Sequence, residues 1–356
     1  METGITYKAP LSAISNENSV VPTFTDVMQG SQLASTTTQA STTSVKKEVE
    51  KTPPQNSEEE KKKVVVVTEA QRPVPVPNTT SKVKWGVFTG SNITHIKDFE
   101  NRVSENPDYL AYFVHWGNDN GRLPSFLKQV AYEKGRTLVL FSEASDYVIG
   151  GTNQPDYSYS EILAGRWDNY FTDFASQLEA YKGPVILIPF SELNGNWTPW
   201  SGTKNGNTPE QAVSAWRYMH GFFDEVPNVS FGFAVNSDSV PNTPENQIEN
   251  YYPGDAYVDY VGVDGFNDGT PWMTFSEIFD ASLSKLAVYN KPILIFSFAS
   301  KEGMGKAQWL HDALFTQIPK HRLITGFVYF NQNKEHNWLL WSDTDTFKVF
   351  EDYITN

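Results

Sequence analysis

Between residues 83 and 353, short apolar runs alternate regularly with longer amphipathic stretches. The runs at 83–88, 110–114, 137–141, 185–189, 229–234, 258–263, 292–296 and 323–330 are largely continuous in apolarity, the pattern of strands covered on both faces. The stretches at 96–103, 123–134, 167–181, 209–223, 275–289, 307–317 and 344–353 place apolar residues at helical spacing, and Thr208 stands where it caps the fourth of them. A long polar excursion occupies 142–166. About eight strand–helix units of this kind predict an α/β fold, a (β/α)8 TIM barrel, rather than an open doubly wound sheet. No glycine-rich phosphate loop opens a helix, so a nucleotide is not an expected partner.

Residues 1–80 have a different texture. A Ser/Thr-rich run at 35–44 leads into mixed charge at 46–63 and then Pro73-Val74-Pro75-Val76-Pro77. Large apolar side chains are too sparse there to offset the entropy of ordering, so the segment is expected to be a disordered tether with a stiff proline-rich end. The domain division expected is therefore 1–80 for the arm and 81–356 for the barrel. No basic region followed by an apolar stretch opens the chain, so no signal peptide is visible, and no run is long enough for a transmembrane helix.

Composition narrows the partners. The formal charge is -14 over 356 residues, which disfavours nucleic acid and anionic membrane. Any membrane or surface association is left to the arm. Cysteine is absent, removing disulfides and thiolate metal sites, and the six scattered histidines lack metal-ligand spacing, so no metal or other cofactor is expected. Aromatic residues make up 14% of the chain, with ten tryptophans, more than core filling asks for. Asn78, Asn92 and Asn196 begin glycosylation-type triplets, read as chance matches.

In a barrel of this class the chemistry lies at the C-terminal ends of the strands. The residues there are His115 and Trp116, Glu143, Ser191 and Glu192, Asn236, Asp264, Ser297, and Tyr329 with Asn331. Glu192 follows a buried strand and precedes the loop Leu193-Asn194-Gly195-Asn196-Trp197-Thr198-Pro199-Trp200, an acid delivered into aromatic surroundings. Trp197 and Trp200 suit the apolar CH faces of pyranose rings, and Phe266, Trp272 and Trp338 add further aromatics in expected loops. Glu143 and Asp264 are either cleft carboxylates or acids hydrogen-bonded to neighbouring loops, and His115 is either a structural residue or a pocket wall.

The runs YSYSEILAGRWD at 157–168, ELNGNWTPW at 192–200, YPGDAYVDYVGVDG at 252–265 and KPILI at 291–295 resemble glycoside hydrolase family 26, chiefly β-mannanases with some β-glucan and xylan enzymes. The resemblance runs from about Trp85 to the C-terminus and implies a (β/α)8 barrel acting on or binding a β-linked polysaccharide, in an extracellular or cell-surface setting. It places Glu192 at the acid/base position of a His-Glu-Met-Asn-Gly pattern. The nucleophile belongs to a pattern like Ile-Ala-Glu-Phe-Gly, where this chain has Ile295-Phe296-Ser297-Phe298-Ala299. Ser297 therefore occupies the nucleophile position. Ser191, Ile188 and Tyr329 stand where the family has histidine, arginine and tryptophan.

Retaining hydrolysis needs two carboxylates, and a serine hydroxyl without an activating base does not replace one. Because Ser191, Phe296 and Ala299 also depart from the pattern, the expectation is a natural site with weak or lost hydrolysis rather than a single laboratory substitution. The expected ligand contacts are Trp116, Glu143, Ser191, Trp197, Trp200, Asn236, Asp264, Phe266 and Tyr329. Two alternatives stay open. One is an active endo-β-glycosidase using Glu192 with a displaced carboxylate or with the substrate's own N-acetyl group, including an inverting route through Glu143 or Asp264. The other is a structural or attachment protein that reuses the barrel.

Overall fold

The computed structural model describes residues 82–117 and 121–356; the expectation of a disordered arm falls outside them. Eight parallel strands close into a barrel in chain order: β1 (Lys84–Phe88), β2 (Tyr109–His115), β3 (Thr137–Glu143), β4 (Val185–Ile188), β5 (Val229–Asn236), β6 (Tyr260–Asn267), β7 (Ile293–Ser300) and β8 (Ile324–Phe330). β8 pairs back onto β1 from Lys84↔Gly326 to Phe88↔Phe330, leaving no sheet edge.

The outer layer holds α1 (Ile93–Glu100), α2 (Phe126–Val130), α3 (Tyr159–Leu163), α4 (Asp168–Tyr181), α5 (Pro209–His220), α6 (Phe275–Ala287), α7 (Lys306–Asp312) and α8 (Thr344–Thr355). Thr208 caps α5 in a reciprocal box with Gln211, and Thr274 does the same for α6 with Glu277. The helix expected at 123–134 is shorter: it ends at Val130, a 3-10 turn follows, and left-handed Gly135 stops it. The polar excursion holds α3, started by the Ser158 cap.

Strands β5, β6 and β7 run further than their apolar runs predict. Asn236, Asp264, Asn267, Ser297 and Ser300 continue the ladder where the sequence turns polar. Polarity there marks the barrel mouth, not a turn. Side-chain direction alternates along each strand. On β6, Gly262 faces Phe296 in the interior, whereas Gly265 faces Ile278 and Phe279 of α6. Asp264 and Phe266 share the inward face with Gly262.

One irregularity sets the geometry of the mouth. Val263 pairs with Ile295, but Asp264 pairs with Ser297, so Phe296 is an extra residue on β7. The β8 side agrees, since Ile295↔Phe327 is followed by Phe298↔Tyr329. Such a bulge resets the alternation: Phe296 and Ser297 both turn inward, while Phe298 packs outward on Phe275 and Trp309. The Phe296 ring fills the interior because Gly232 and Gly262 leave room; a Cβ on either would come within 2.7 Å of it. Above and around it, Phe88 meets Phe113 and Phe330, Phe113 stacks on Phe141 at 4.3 Å, and Phe141 meets Phe296. These rings close the barrel beneath the mouth.

Candidate active site

Four strand ends bring polar side chains to the mouth: Glu143 from β3, Glu192 after β4, Asp264 from β6 and Ser297 from β7. All are buried, with Glu192 only 6% exposed. β4 stops because Pro189 has no N–H for the ladder, yet Glu192 N still donates to Ala234 O on β5 at 3.0 Å. Glu192 itself is left-handed, with φ 52°. That conformation costs a non-glycine residue roughly 1–2 kcal/mol, and it turns the carboxyl at the head of the loop.

The loop is tied down behind it. Asn194, fully buried, donates to Asn236 O at 2.9 Å and accepts from Asn236 N at 2.8 Å. Asn246 Nδ2 in turn donates to Asn194 O at 2.8 Å. The Asn-Gly pair after the acid is thus a staple between the β4 and β5 loops. Gly195 is required for close approach, since a Cβ there would lie 2.7 Å from the Trp197 ring. The indole folds back, and its Nε1 donates to Glu192 Oε2 at 2.9 Å.

Burial pushes the Glu192 carboxyl up to about 7, with the Trp197 hydrogen bond opposing and the Glu143 charge adding; Lys334 lowers it and Glu335 raises it more weakly. Burial, and then the Glu192 charge, raise Asp264 well above the ordinary carboxylate range. Asp264 Oδ1 and Ser297 Oγ have no hydrogen-bond partner among the described residues. Glu143 is also raised by burial, against the pull of His115. His115 Nδ1 lies 2.9 Å from Glu143 Oε2 and 3.2 Å from Ser145 Oγ. The first contact is close in distance without the alignment of a hydrogen bond, as both Glu143 oxygens otherwise lack partners. Chemically, the mouth offers one carboxyl poised to give or take a proton near neutrality, a second acid whose ionisation opposes the first, and a neutral hydroxyl on β7.

The other expected contacts divide. Phe266 is half-buried on the inward face of β6 and meets Phe330 and Trp338. Asn236 is half-buried, and its Nδ2 donates to Asp238 O at 2.7 Å. Ser191 is buried, and its carbonyl accepts from Trp200 Nε1 at 2.7 Å. Trp116 packs among Trp167, Tyr170, Phe171 and Phe190, donating to Ser142 Oγ, within the helical layer. Tyr329 faces Phe350 of α8 and donates to Trp338 O. The structure therefore does not bring Trp116, Trp200 or Tyr329 together with the acids as it does Trp197. In the loop after β8 the sequence marks Asn331 and Trp338 but not Lys334 and Glu335, which act on Glu192; nothing in the polar run 332–337 singles them out. Among the described residues no cluster of three His, Cys, Asp or Glu is placed to hold a metal, and no helix is long and apolar enough to cross a membrane.

Comparison with known proteins agrees with this architecture. The pattern of glycosyl hydrolase family 26 matches residues 142–306. Endoglucanase H of Acetivibrio thermocellus is 31% identical over 291 residues, covering 78% of this chain and 31% of that protein. Mannan endo-1,4-beta-mannosidase A and B of Caldalkalibacillus mannanilyticus is 29% identical over 110 residues, 29% of this chain and 21% of that one. The matches thus span about a third or less of these relatives' length. Among solved structures, the catalytic domain of a Bacillus family 26 endo-beta-1,4-mannanase superposes with a TM-score of 0.61 at 18% identity, covering 77% of this chain and 86% of the other. A Bacteroides ovatus family 26 β-mannanase gives 0.59 at 16% identity, covering 76% and 88%. These likenesses establish the barrel.

Proposed function

The chain belongs to glycosyl hydrolase family 26, and from that premise we propose that its barrel binds a β-linked polysaccharide of mannan or glucan type, with retaining hydrolysis weak or lost. The observation that carries the second half is Ser297 on β7, at the place where the family resemblance puts a glutamate nucleophile. A double displacement needs a carboxylate to form the glycosyl–enzyme bond, about 5–5.5 Å from the acid/base. The carboxyl paired with Ser297 across the strands is Asp264, and its raised pKa favours the neutral form over a base that would activate the hydroxyl. Phe296 adds bulk directly beneath, where the family pattern has alanine. Burial of Glu192, Asp264 and Ser297 leaves little of the acids open to a pyranose ring.

The ligand class is supported by the kinship to proteins named endoglucanase and mannosidase and by the Trp197 indole hydrogen-bonded to Glu192. An extracellular or cell-surface setting, where such polymers are met, accompanies this reading. Affinity electrophoresis through gels containing β-glucan or mannan tests it: retardation is expected, and unretarded migration in both contradicts it. Ser297→Glu then asks whether the nucleophile alone is missing. Reducing-end release from the variant is the expected gain; silence places the loss in Phe296 and the closed mouth as well.

A second reading has one observation in its favour. Asp264 is a buried carboxyl with an unpartnered oxygen, on the strand beside Ser297 and electrostatically linked to Glu192. It is the group to serve as a displaced nucleophile or base in an active endo-glycosidase. In that case Asp264→Asn abolishes turnover, and the anomer first released reports retention or inversion.

A further inference from the structure

We propose that Lys306 is a proton-operated latch on the loop after β8, holding that loop against the barrel mouth more firmly in alkaline than in neutral solution. The latch does not depend on which ligand the mouth takes. Lys306 opens α7 and is fully buried. Its Nζ donates to Leu339 O at 2.7 Å, Ser342 Oγ at 3.0 Å and Asn337 O at 3.4 Å, three neutral acceptors supplied by one stretch of chain. A buried ammonium is costly unless a carboxylate touches it. Asp343, at the N-cap of α8, and Glu302, on the loop after β7, act on Lys306 through their charge without a hydrogen bond to it.

The stretch that holds Nζ is the far end of the β8 loop, and the loop reaches the mouth through Trp338. Its indole meets Phe266, on the inward face of β6, with ring centroids 5.4 Å apart. Trp338 N donates to Gln332 O at 2.9 Å, and Leu340 N donates to Asn331 Oδ1 at 2.8 Å, so the two limbs of the loop move as one body. Glu302 clamps the same loop from the β7 side: Oε2 accepts from Asn337 Nδ2 at 2.8 Å, and its N–H donates to Asn337 O at 3.0 Å. Of the other charged or titratable residues on the loop, Lys334 pairs with Glu335 at 2.9 Å, and His336 lies edge-on to the Trp338 ring.

The closed loop accommodates both charge states of the amine. The ammonium has three N–H groups for three acceptors. Once neutral it keeps two, enough for the two shorter contacts, and Asn337 O still accepts from Glu302 N. Closure over the neutral amine therefore orphans no acceptor and buries no charge. Opening the loop returns Nζ to water, where the ammonium is stable. Burial brings Lys306 from the ordinary 10.5 down to about 8, against the opposing pull of Asp343 and then Glu302. The closed loop thus gives up its proton at a lower pH than the open one. Raising the pH from about 8 toward 10.5 shifts the equilibrium to the closed form.

Amide hydrogen exchange of the full chain at pH 7.5 and pH 9.0, corrected for the intrinsic rate at each pH, tests the latch. Protection of the Trp338 and Leu340 amides is expected to rise about five- to tenfold between the two, relative to amides of β2 and β3 that report global unfolding. Lys306→Met, which fills the space without a charge, is expected to abolish that rise. The wild-type chain supplies a reading independent of variant folding, because its Lys306 Cε resonance should titrate near pH 8. Loop protection that stays level or falls from pH 7.5 to pH 9.0 overturns the latch, as does a Lys306→Met chain that retains the rise. Titration of Lys306 at the ordinary 10.5 overturns it as well.

Discussion

Glu192 combines a left-handed backbone, nearly complete burial and a single indole donor. Its carboxyl titrates at about 7 instead of the ordinary 4.5. The folded state thus holds a proton that the unfolded chain releases between those values. The sign follows: the raised pKa leaves stability undiminished below about pH 4.5 and removes it progressively as pH rises to 7 and beyond. Glu143 and Asp264 shift in the same direction. Glu192→Gln removes the cost of burying the charge while keeping an acceptor for Trp197. It is expected to stabilise the barrel at pH 8 by up to roughly 3 kcal/mol and to change nothing at pH 4, as urea unfolding at the two pH values reads out. Equal effects at both would contradict the assignment. The acids themselves were legible in the sequence, because a polar residue after a buried apolar run has few places to go but the mouth. The direction of an aromatic was not. Trp197 turns back to Glu192 only because Gly195 leaves room, whereas Trp116 and Tyr329 lie on the outward side of the pleat, a parity that apolar runs do not encode.

At the level of elements, β7 departs most from an ideal barrel strand. Its continuous apolarity, Ile293-Leu294-Ile295-Phe296, announces a buried strand but hides the bulge, which is visible only in pairing: Asp264 meets Ser297 where an unbroken register would bring it to Phe296. The interior glycines 232 and 262 carry a correlated signal, since they vacate the volume that Phe296 fills. Phe296→Ala would empty that space against Phe141 and the glycines. Large-to-small changes of this kind cost about 3–5 kcal/mol, and a fall in Tm of several degrees is expected. A loss below about 1 kcal/mol would mean that the strand slips back into register and the cavity collapses. In the loop after β8 the sequence marks Asn331 and Trp338 but not what holds the loop. Lys306, fully buried at the start of α7, donates to Leu339 O at 2.7 Å and Ser342 Oγ at 3.0 Å and anchors the loop's far end.

For the whole molecule, the repeating strand–helix pattern was enough to predict a closed eight-stranded barrel, because parallel strands buried on both faces need a helix between each pair. The resemblance puts Glu192 at the acid/base position, and the residue of β7 at the nucleophile position is Ser297, not a carboxylate. Substrate choice depends on loops whose shape neither periodicity nor motif encodes. On the reading proposed above, Glu192 remains at the mouth while efficient retaining turnover has gone. The most direct measurement is reducing-end release from β-glucan and mannan by the wild-type chain and by Glu192→Gln, side by side at pH 6. Equal, background-level release from the two proteins is expected. Release by the wild type that Glu192→Gln abolishes would contradict it.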